Sequence, residues 1–379
     1  MREHTPLSDL ERLAWLRLIR SDNVGPITFY RLLAQFGSAE NALSSLPELA
    51  RQGGRRGYRL FPSSDAEAEL EQLEKVGASL IGYQEPEYPA LLREMEGAPP
   101  LISAKGNLHL FGRTVIGIVG ARNASANGLG FARKLAADLG RGGYGVKDPV
   151  VASGLARGID AAAHQGALES GTIAVLAGGI DKIYPAENTR LHEEIAERGI
   201  LLAEMPVGTQ PTGRLFPVRN RIISGLSRGV VVVEASPRSG SLITARLALD
   251  QGREVFAVPG GPGDPRTQGT NGLIRDGAIL TESAVDVLRP LGEAGILSTK
   301  EKYLFDFTGE FNDRSKLDDT ERCRAVVVEL LDFSPVAVDE LVRNCQFSFA
   351  VVSAILLELE LAGRLERHPG NRVSLINEH

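Results

Sequence analysis

The chain has 379 residues, enough for two or three domains, and its 43 % hydrophobic content can bury a sizeable core, which excludes wholesale disorder. Its 42 basic and 48 acidic residues give a formal charge of −6, a balance that, taken whole, argues against a nucleic-acid binder. Two cysteines, Cys323 and Cys345, cannot build a disulfide framework and belong to no CxxC or Cys/His cluster, so a reducing compartment and a metal-free chain are expected.

Met1 to Leu10 is polar and lacks the apolar core of a secretory signal, and no apolar run reaches the ~20 residues that span a bilayer. A soluble, cytoplasmic protein with no membrane partner is expected. From Leu7 to Leu49 the pattern is helical, with Leu10, Leu13, Leu16, Leu18 and Ile19 on one stripe and Phe29, Leu32, Leu33 and Phe36 on a second. Between them Asn23-Val24-Gly25-Pro26 breaks the chain and starts a new helix. This resembles a helix-hairpin-helix (SAM-like) domain, whose turn amides can meet a phosphate, although any small helical packing domain needs such a breaker too. Residues 1–65 are assigned to it.

The next zone, 66–292, carries short continuous apolar runs: 115–119, 150–152, 173–176, 200–202, 230–233 and 255–258. Continuous rather than alternating runs mark strands buried on both faces. Helical segments at 128–140, 158–168, 188–198, 219–227 and 241–251 alternate with them. The fold class is therefore α/β, a doubly wound (Rossmann-like) parallel sheet. Residues 293–316 read as a polar linker. The final zone, 317–379, holds three helices (318–331, 337–343, 349–361) and two short strands around His368-Pro369-Gly370-Asn371, the plan of a winged helix.

Ligands of such a sheet bind beyond the carboxyl ends of its strands, where helix N-termini offer unpaired N–H groups. After the first run stands Gly120-Ala121-Arg122-Asn123-Ala124-Ser125, which lacks the GxGxxG spacing of a dinucleotide site. After the second comes Ser153-Gly154-Leu155-Ala156-Arg157-Gly158-Ile159-Asp160, and after the fifth Ser236 to Thr244. Phe216-Pro217-Val218-Arg219-Asn220-Arg221 puts an aromatic and two guanidiniums at an expected helix start, where cations cost stability unless an anion is bound. From Asn107 to Pro290 there are 17 Arg and 3 Lys against 17 acidic residues, a net of +3, so the remainder carries −9. Arg in excess of Lys suits planar, bidentate phosphate recognition.

Signals of catalysis are thin. There is no Walker A loop, HExxH pair or Gly-x-Ser-x-Gly elbow, and the six His are scattered. Asp160, Asp181, Glu204 and Glu234 near strand ends either serve as acid/base groups or cap helices and hold arginines.

Ser153 to Asp160 with Ala163-His164, Phe216 to Arg221, Ser239-Gly240-Ser241-Leu242-Ile243-Thr244 and Pro259-Gly260 closely resemble the DNA-processing DprA (Smf) family. Tyr88-Pro89, Val119 to Arg122, Tyr184-Pro185 and Gly269 to Ile274 add to the likeness, which spans about Tyr88 to Ala278. The resemblance implies a protein that is not an enzyme and needs no cofactor. It would bind and protect incoming single-stranded DNA, form a homodimer through the Rossmann-like domain, and load the RecA recombinase during natural transformation. Carried over, Arg122, Ser153, Gly154, Arg157, Phe216, Arg219, Asn220, Arg221, Ser239, Gly240, Ser241 and Thr244 would form the strand-binding site. One departure is Gly142 to Pro149, a longer approach to the second strand. A related Rossmann-like fold, that of LOG-type nucleoside-monophosphate phosphoribohydrolases, is the alternative, although the PGGxGTxxE signature is replaced by Pro237 to Thr244 with no acid before Asp250. A purely structural adaptor is the third reading. The winged helix's third helix, Ser348 to Leu361, has no Lys or Arg and two Glu, so this domain is not expected to read duplex sequence.

Overall fold

In the computed structural model, residues 5–297 and 317–376 are described, apart from positions 56, 346 and 369. The bulk of the expected linker and Pro369 of the expected hairpin turn lie outside the described residues. The chain divides into two compact units, one built on the sheet, the other made of residues 8–66 together with the winged helix. The two terminal zones, expected as separate domains, thus pack as one unit.

In the head, α1 (Asp9–Arg20) starts on Ser8, which forms a capping box with Glu11. The chain breaks at Asn23, φ +58°, and α2 (Pro26–Phe36) begins with the proline whose missing N–H costs nothing there. α3 (Ala39–Gln52) is capped by Ser38. Trp15 and Phe29 meet edge-on at 4.9 Å in the core between these helices, with Leu16, Leu18, Leu32 and Leu46 fully buried around them.

After α4 (Ser63–Lys75) come β1 (Ser79–Gly82), α5 (Ala90–Arg93), β2 (Leu101–Gly106), β3 (Val115–Gly120), α6 (Ala126–Leu139), β4 (Val150–Ser153) and α7 (Ile159–Ala167). They are followed by β5 (Thr172–Leu176), α8 (Thr189–Arg198), β6 (Ile200–Ala203), α9 (Leu215–Leu226), β7 (Gly229–Val233), α10 (Gly240–Asp250), β8 (Glu254–Ala257), α11 (Gln268–Arg275), β9 (Ile279–Leu280) and α12 (Ala284–Leu297). One nine-stranded sheet results, in the order β1-β2-β6-β5-β4-β3-β7-β8-β9. From β6 to β9 all neighbours are parallel, whereas β1–β2 and β2–β6 are antiparallel. The sheet is thus mixed rather than wholly parallel.

Both faces are covered. In β3, Val115 and Val119 point into the core shared with α9 and α10, while Ile116 and Ile118 point into the core shared with α6, α7 and α12. A strand buried this way has no polar face to show, hence its unbroken apolar run. Each such Val or Ile contributes about 1.5–3 kcal/mol on leaving water. Two boundaries differ from the sequence reading. α9 begins at Leu215, four residues before the expected start, because Pro217 falls in the first turn, where no N–H partner is needed. α12 runs to Leu297, so the boundary expected at 292 falls inside a helix.

The winged helix consists of α13 (Leu317–Leu330), β10 (Val336–Ala337), α14 (Val338–Cys345), α15 (Phe349–Leu361), β11 (Leu365–His368) and β12 (Arg372–Leu375), with β12 central in its three-stranded sheet. Both cysteines are buried in its core. Among the described residues no single helix is long and apolar enough to cross a membrane, and no cluster of three metal-ligating side chains occurs.

Candidate nucleic-acid interface

β3 stands at the point where the winding of the sheet reverses, with β4 on one side and β7 on the other. Connections diverge there and open a crevice beyond the carboxyl ends of the strands. A cleft of about 750 Å³ occupies this place. Its walls are the loop Gly120 to Asn123 after β3, Ala156 and Asp160 after β4, the first turns of α9 and α10, and Tyr184, Pro211 and Arg266 from longer loops. Gly120 makes the close approach possible, since a Cβ there would overlap the Val233 carbonyl of the neighbouring strand.

The centre of the cleft is an aromatic ring between cations. The Arg122 guanidinium lies 4.7 Å from the Phe216 ring centroid and that of Arg219 lies 5.9 Å from it, while Tyr184 packs against the same ring at 5.6 Å. Arg122 reaches in from the end of β3, Phe216 from the first turn of α9. Facing them, Ser239 caps α10, and its hydroxyl lies 2.7 Å from that of Ser241. Asn220 joins the two sides, accepting from Arg219 Nε at 3.2 Å, its amide 3.5 Å from the Gly240 carbonyl.

Arg219 itself is buried in the second turn of α9. Its Nη1 donates to the carbonyl oxygens of Gly154 and Val175, at the ends of β4 and β5. Burial brings its pKa down to about 10, opposed by the charge of nearby Asp160, so it remains a cation at neutral pH. Burial likewise raises the Asp160 carboxyl above the usual carboxylate range, with Arg219 pulling against that rise. The expectation of two guanidiniums at a bare helix N-terminus is therefore corrected. The helix starts earlier, and Arg219 answers strand-end carbonyls rather than waiting on the dipole.

Behind this wall, His164 of α7 is fully buried. Its Nε2 accepts from Leu155 N–H at 3.3 Å, and its Nδ1 lies 2.7 Å from Thr172 Oγ1, which donates to the Val151 carbonyl. Leu155 has φ +54°, a left-handed conformation that costs an L-residue about 1–2 kcal/mol, and the histidine pins it. Burial first, and the Arg219 charge second, lower the His164 pKa to about 3. The imidazole is a neutral strut.

Glu234, just after β7, accounts for the missing dinucleotide fingerprint. Its carboxylate accepts the Ser125 N–H at 2.8 Å and the Ser125 hydroxyl at the start of α6. The helix N-terminus that receives a pyrophosphate in dinucleotide folds is filled here by the chain's own anion. A Cβ on Gly128 would collide with that carboxylate.

Residues 79–292 match the family described as DNA recombination-mediator protein A, 9–71 its DprA-like N-terminal HHH domain, and 313–371 the DprA winged helix domain. The chain belongs to the DprA family. Protein Smf of Synechocystis is 32 % identical over 399 residues, covering 97 % of this chain and 99 % of its own. The X-ray structure of DprA from Streptococcus pneumoniae is similar over 75 % of this chain and 98 % of its own, with 34 % identity and a TM-score of 0.62. The structure of DNA processing protein A from Helicobacter pylori, described for its single-stranded DNA binding mode, matches 57 % of this chain and 96 % of its own, with 26 % identity and a TM-score of 0.52.

Of the twelve residues carried over from the DprA resemblance, Arg122, Phe216, Arg219, Asn220, Ser239, Gly240, Ser241 and Thr244 line the cleft. The other four do not. Ser153 is buried and donates to the Ile118 carbonyl, while Gly154 sits against the Arg219 guanidinium with no room for a side chain. Arg157 is exposed and 3.6 Å from Glu187. Arg221 turns away from the cleft to pair with Glu204 and to donate to the Gly97 carbonyl at 2.9 Å. Sequence reasoning missed Tyr184, Asn123, Pro211 and Arg266 as lining residues. Tyr184-Pro185 carried a family signal without a role, and Asn123 stands beside Arg122 in the loop after the first apolar run; Pro211 and Arg266 gave no signal, since they come from loops far apart in sequence. In the Gly142 to Pro149 segment, Gly143 and Val146 form a bridge that folds the extra residues into a tight turn away from the cleft walls.

Proposed function

We propose that the chain binds single-stranded DNA in this cleft and, as a cytoplasmic homodimer joined through the sheet domain, protects incoming strands and loads RecA on them during natural transformation. The observation that carries the reading is the Arg122–Phe216–Tyr184 cluster beside the hydroxyls and N-terminus of α10. Unpaired bases stack on aromatic faces, and phosphates take guanidinium and helix-start donors, both without regard to sequence. A flat duplex base pair presents no free face to Phe216. Membership of a recombination-mediator family and the single-strand binding of the Helicobacter pylori relative support the same ligand. A net of +3 over residues 107–290, the stretch that supplies every lining residue of the cleft, supports it against the total of −6.

The protein acts by binding rather than catalysis. Glu234 is spent on α6, Asp160 lies beside Arg219, and His164 is neutral and enclosed, so each acid/base candidate near the cleft has a structural duty. The test is fluorescence anisotropy of the full chain on an oligothymidylate and on a duplex of equal length at two salt concentrations. Single strands bind more tightly, and affinity falls with salt at roughly −0.7 in log–log slope per phosphate neutralised. Arg122→Ala weakens binding and removes about one phosphate from that slope. An unchanged slope and affinity in the variant, or release of base from a nucleoside monophosphate by the pure protein, would sink the assignment.

A further inference from the structure

Winged helices that read DNA lay their third helix in the major groove. Here that helix, α15, is apolar nearly all round, and a helix of that kind needs partners on both sides. Val352, Ile355, Leu356 and Leu359 fill the winged helix's own core, but Leu357 and Leu361 lie outside that core and are still buried. What covers this side is the head. Asn23 Nδ2 donates to the Leu361 carbonyl at 3.0 Å. Thr28 Oγ1, fully buried, donates to Glu360 Oε1 at 2.7 Å, and the other oxygen of Glu360 accepts from Arg367 Nε at 2.8 Å. The tightest approach is at Gly53, at the end of α3. A Cβ there would overlap the Glu358 carbonyl and crowd the Ala362 methyl, and its three nearest atoms all belong to the winged helix. The φ and ψ of Gly53, −71° and −3°, suit any residue, so the glycine is demanded by the winged helix and not by its own turn.

We propose that the winged helix is an intrachain clasp on the helical head: α15 commits to Gly53, Asn23 and Thr28 the surface that groove reading would need. The domain then holds the hairpin turn, which Asn23 and Thr28 flank, and does not engage duplex DNA. This reading is independent of the single-strand cleft, which lies in the other unit.

Hydrogen exchange on the full chain tests it. Gly53→Ala raises exchange about tenfold or more in α15 residues 356–361 and in α2 together, while β3 and β7 keep their protection. Thr28→Val, which leaves helix propensity and size nearly unchanged, gives a smaller rise in the same two segments and keeps the test readable should Gly53→Ala unfold the head. Unaltered α15 exchange in Thr28→Val overturns the clasp. So does α15 protection that falls on dilution, which would make the contact one between copies, or α15 exchange that changes when a duplex is added to the wild-type chain.

Discussion

His164 gives the sheet unit a defined response to acid. In the folded chain its Nε2 accepts the Leu155 N–H, so a proton on Nε2 would set donor against donor, close to the Arg219 charge and out of reach of water. Its pKa is about 3 when folded against 6.5 for the free side chain. Between those values the unfolded chain takes up a proton that the folded chain refuses. The contribution to stability is therefore fully present above about pH 6.5 and is lost as pH falls toward 3. The two pKa values correspond to about 5 kcal/mol between the limits, of which about 3 kcal/mol is gone at pH 4. Asp160, whose carboxyl burial raises, works in the opposite sense and is common to both proteins, so the histidine is isolated by difference. His164→Gln can still accept from Leu155 without titrating. Urea unfolding at pH 7 and pH 4 then shows the wild type losing about 3 kcal/mol more than the variant. The one tryptophan, Trp15, belongs to the other unit, so the sheet must be followed by circular dichroism or hydrogen exchange at β4 and β5 rather than by indole emission. Equal losses in the two proteins would refute the account. Because His164 pins the loop forming one cleft wall, single-strand affinity should fall in the same pH range for the wild type and less for His164→Gln.

Arg219→Met strands the Asp160 carboxyl and leaves the Gly154 and Val175 carbonyls without their donor, a loss of about 3–5 kcal/mol by denaturant titration. Adding Asp160→Asn should restore part of it, and a fully additive double variant would deny the charge coupling between the two. Phe216→Ala removes the stacking face and should cost about 1–3 kcal/mol of single-strand affinity while leaving the salt slope unchanged. A changed slope with intact affinity would mean that the ring positions Arg122 rather than meeting a base.

Much of the architecture was legible in the chain. The runs at 115–119 and 230–233 announce strands because burial on two faces forces continuous apolar sequence, and the Asn23–Pro26 break announces the hairpin of the head. β9 escaped notice because it is a two-residue edge strand that is only partly buried, and β1 and β2 because Ser79, Gly82, Ser103 and Lys105 interrupt their apolar residues. The sequence also placed the site loops on one rim, a consequence of alternating strands and helices. It did not decide which guanidinium faces solvent. Arg122, Arg219 and Arg221 look alike in sequence, and only the packed structure sends Arg219 to strand-end carbonyls, Arg221 to Glu204 and Arg122 over the Phe216 ring.

Composition and periodicity, then, determined which segments are strands and helices and that an Arg-rich stretch, residues 107–290, stands out from a remainder that is acidic in sum, because both follow from local burial and charge. Tertiary structure decided the rest. The filling of the α6 N-terminus by Glu234, the neutrality of His164 and the union of head with winged helix each depend on groups more than a hundred residues apart, or on water excluded by neighbours that no local window contains.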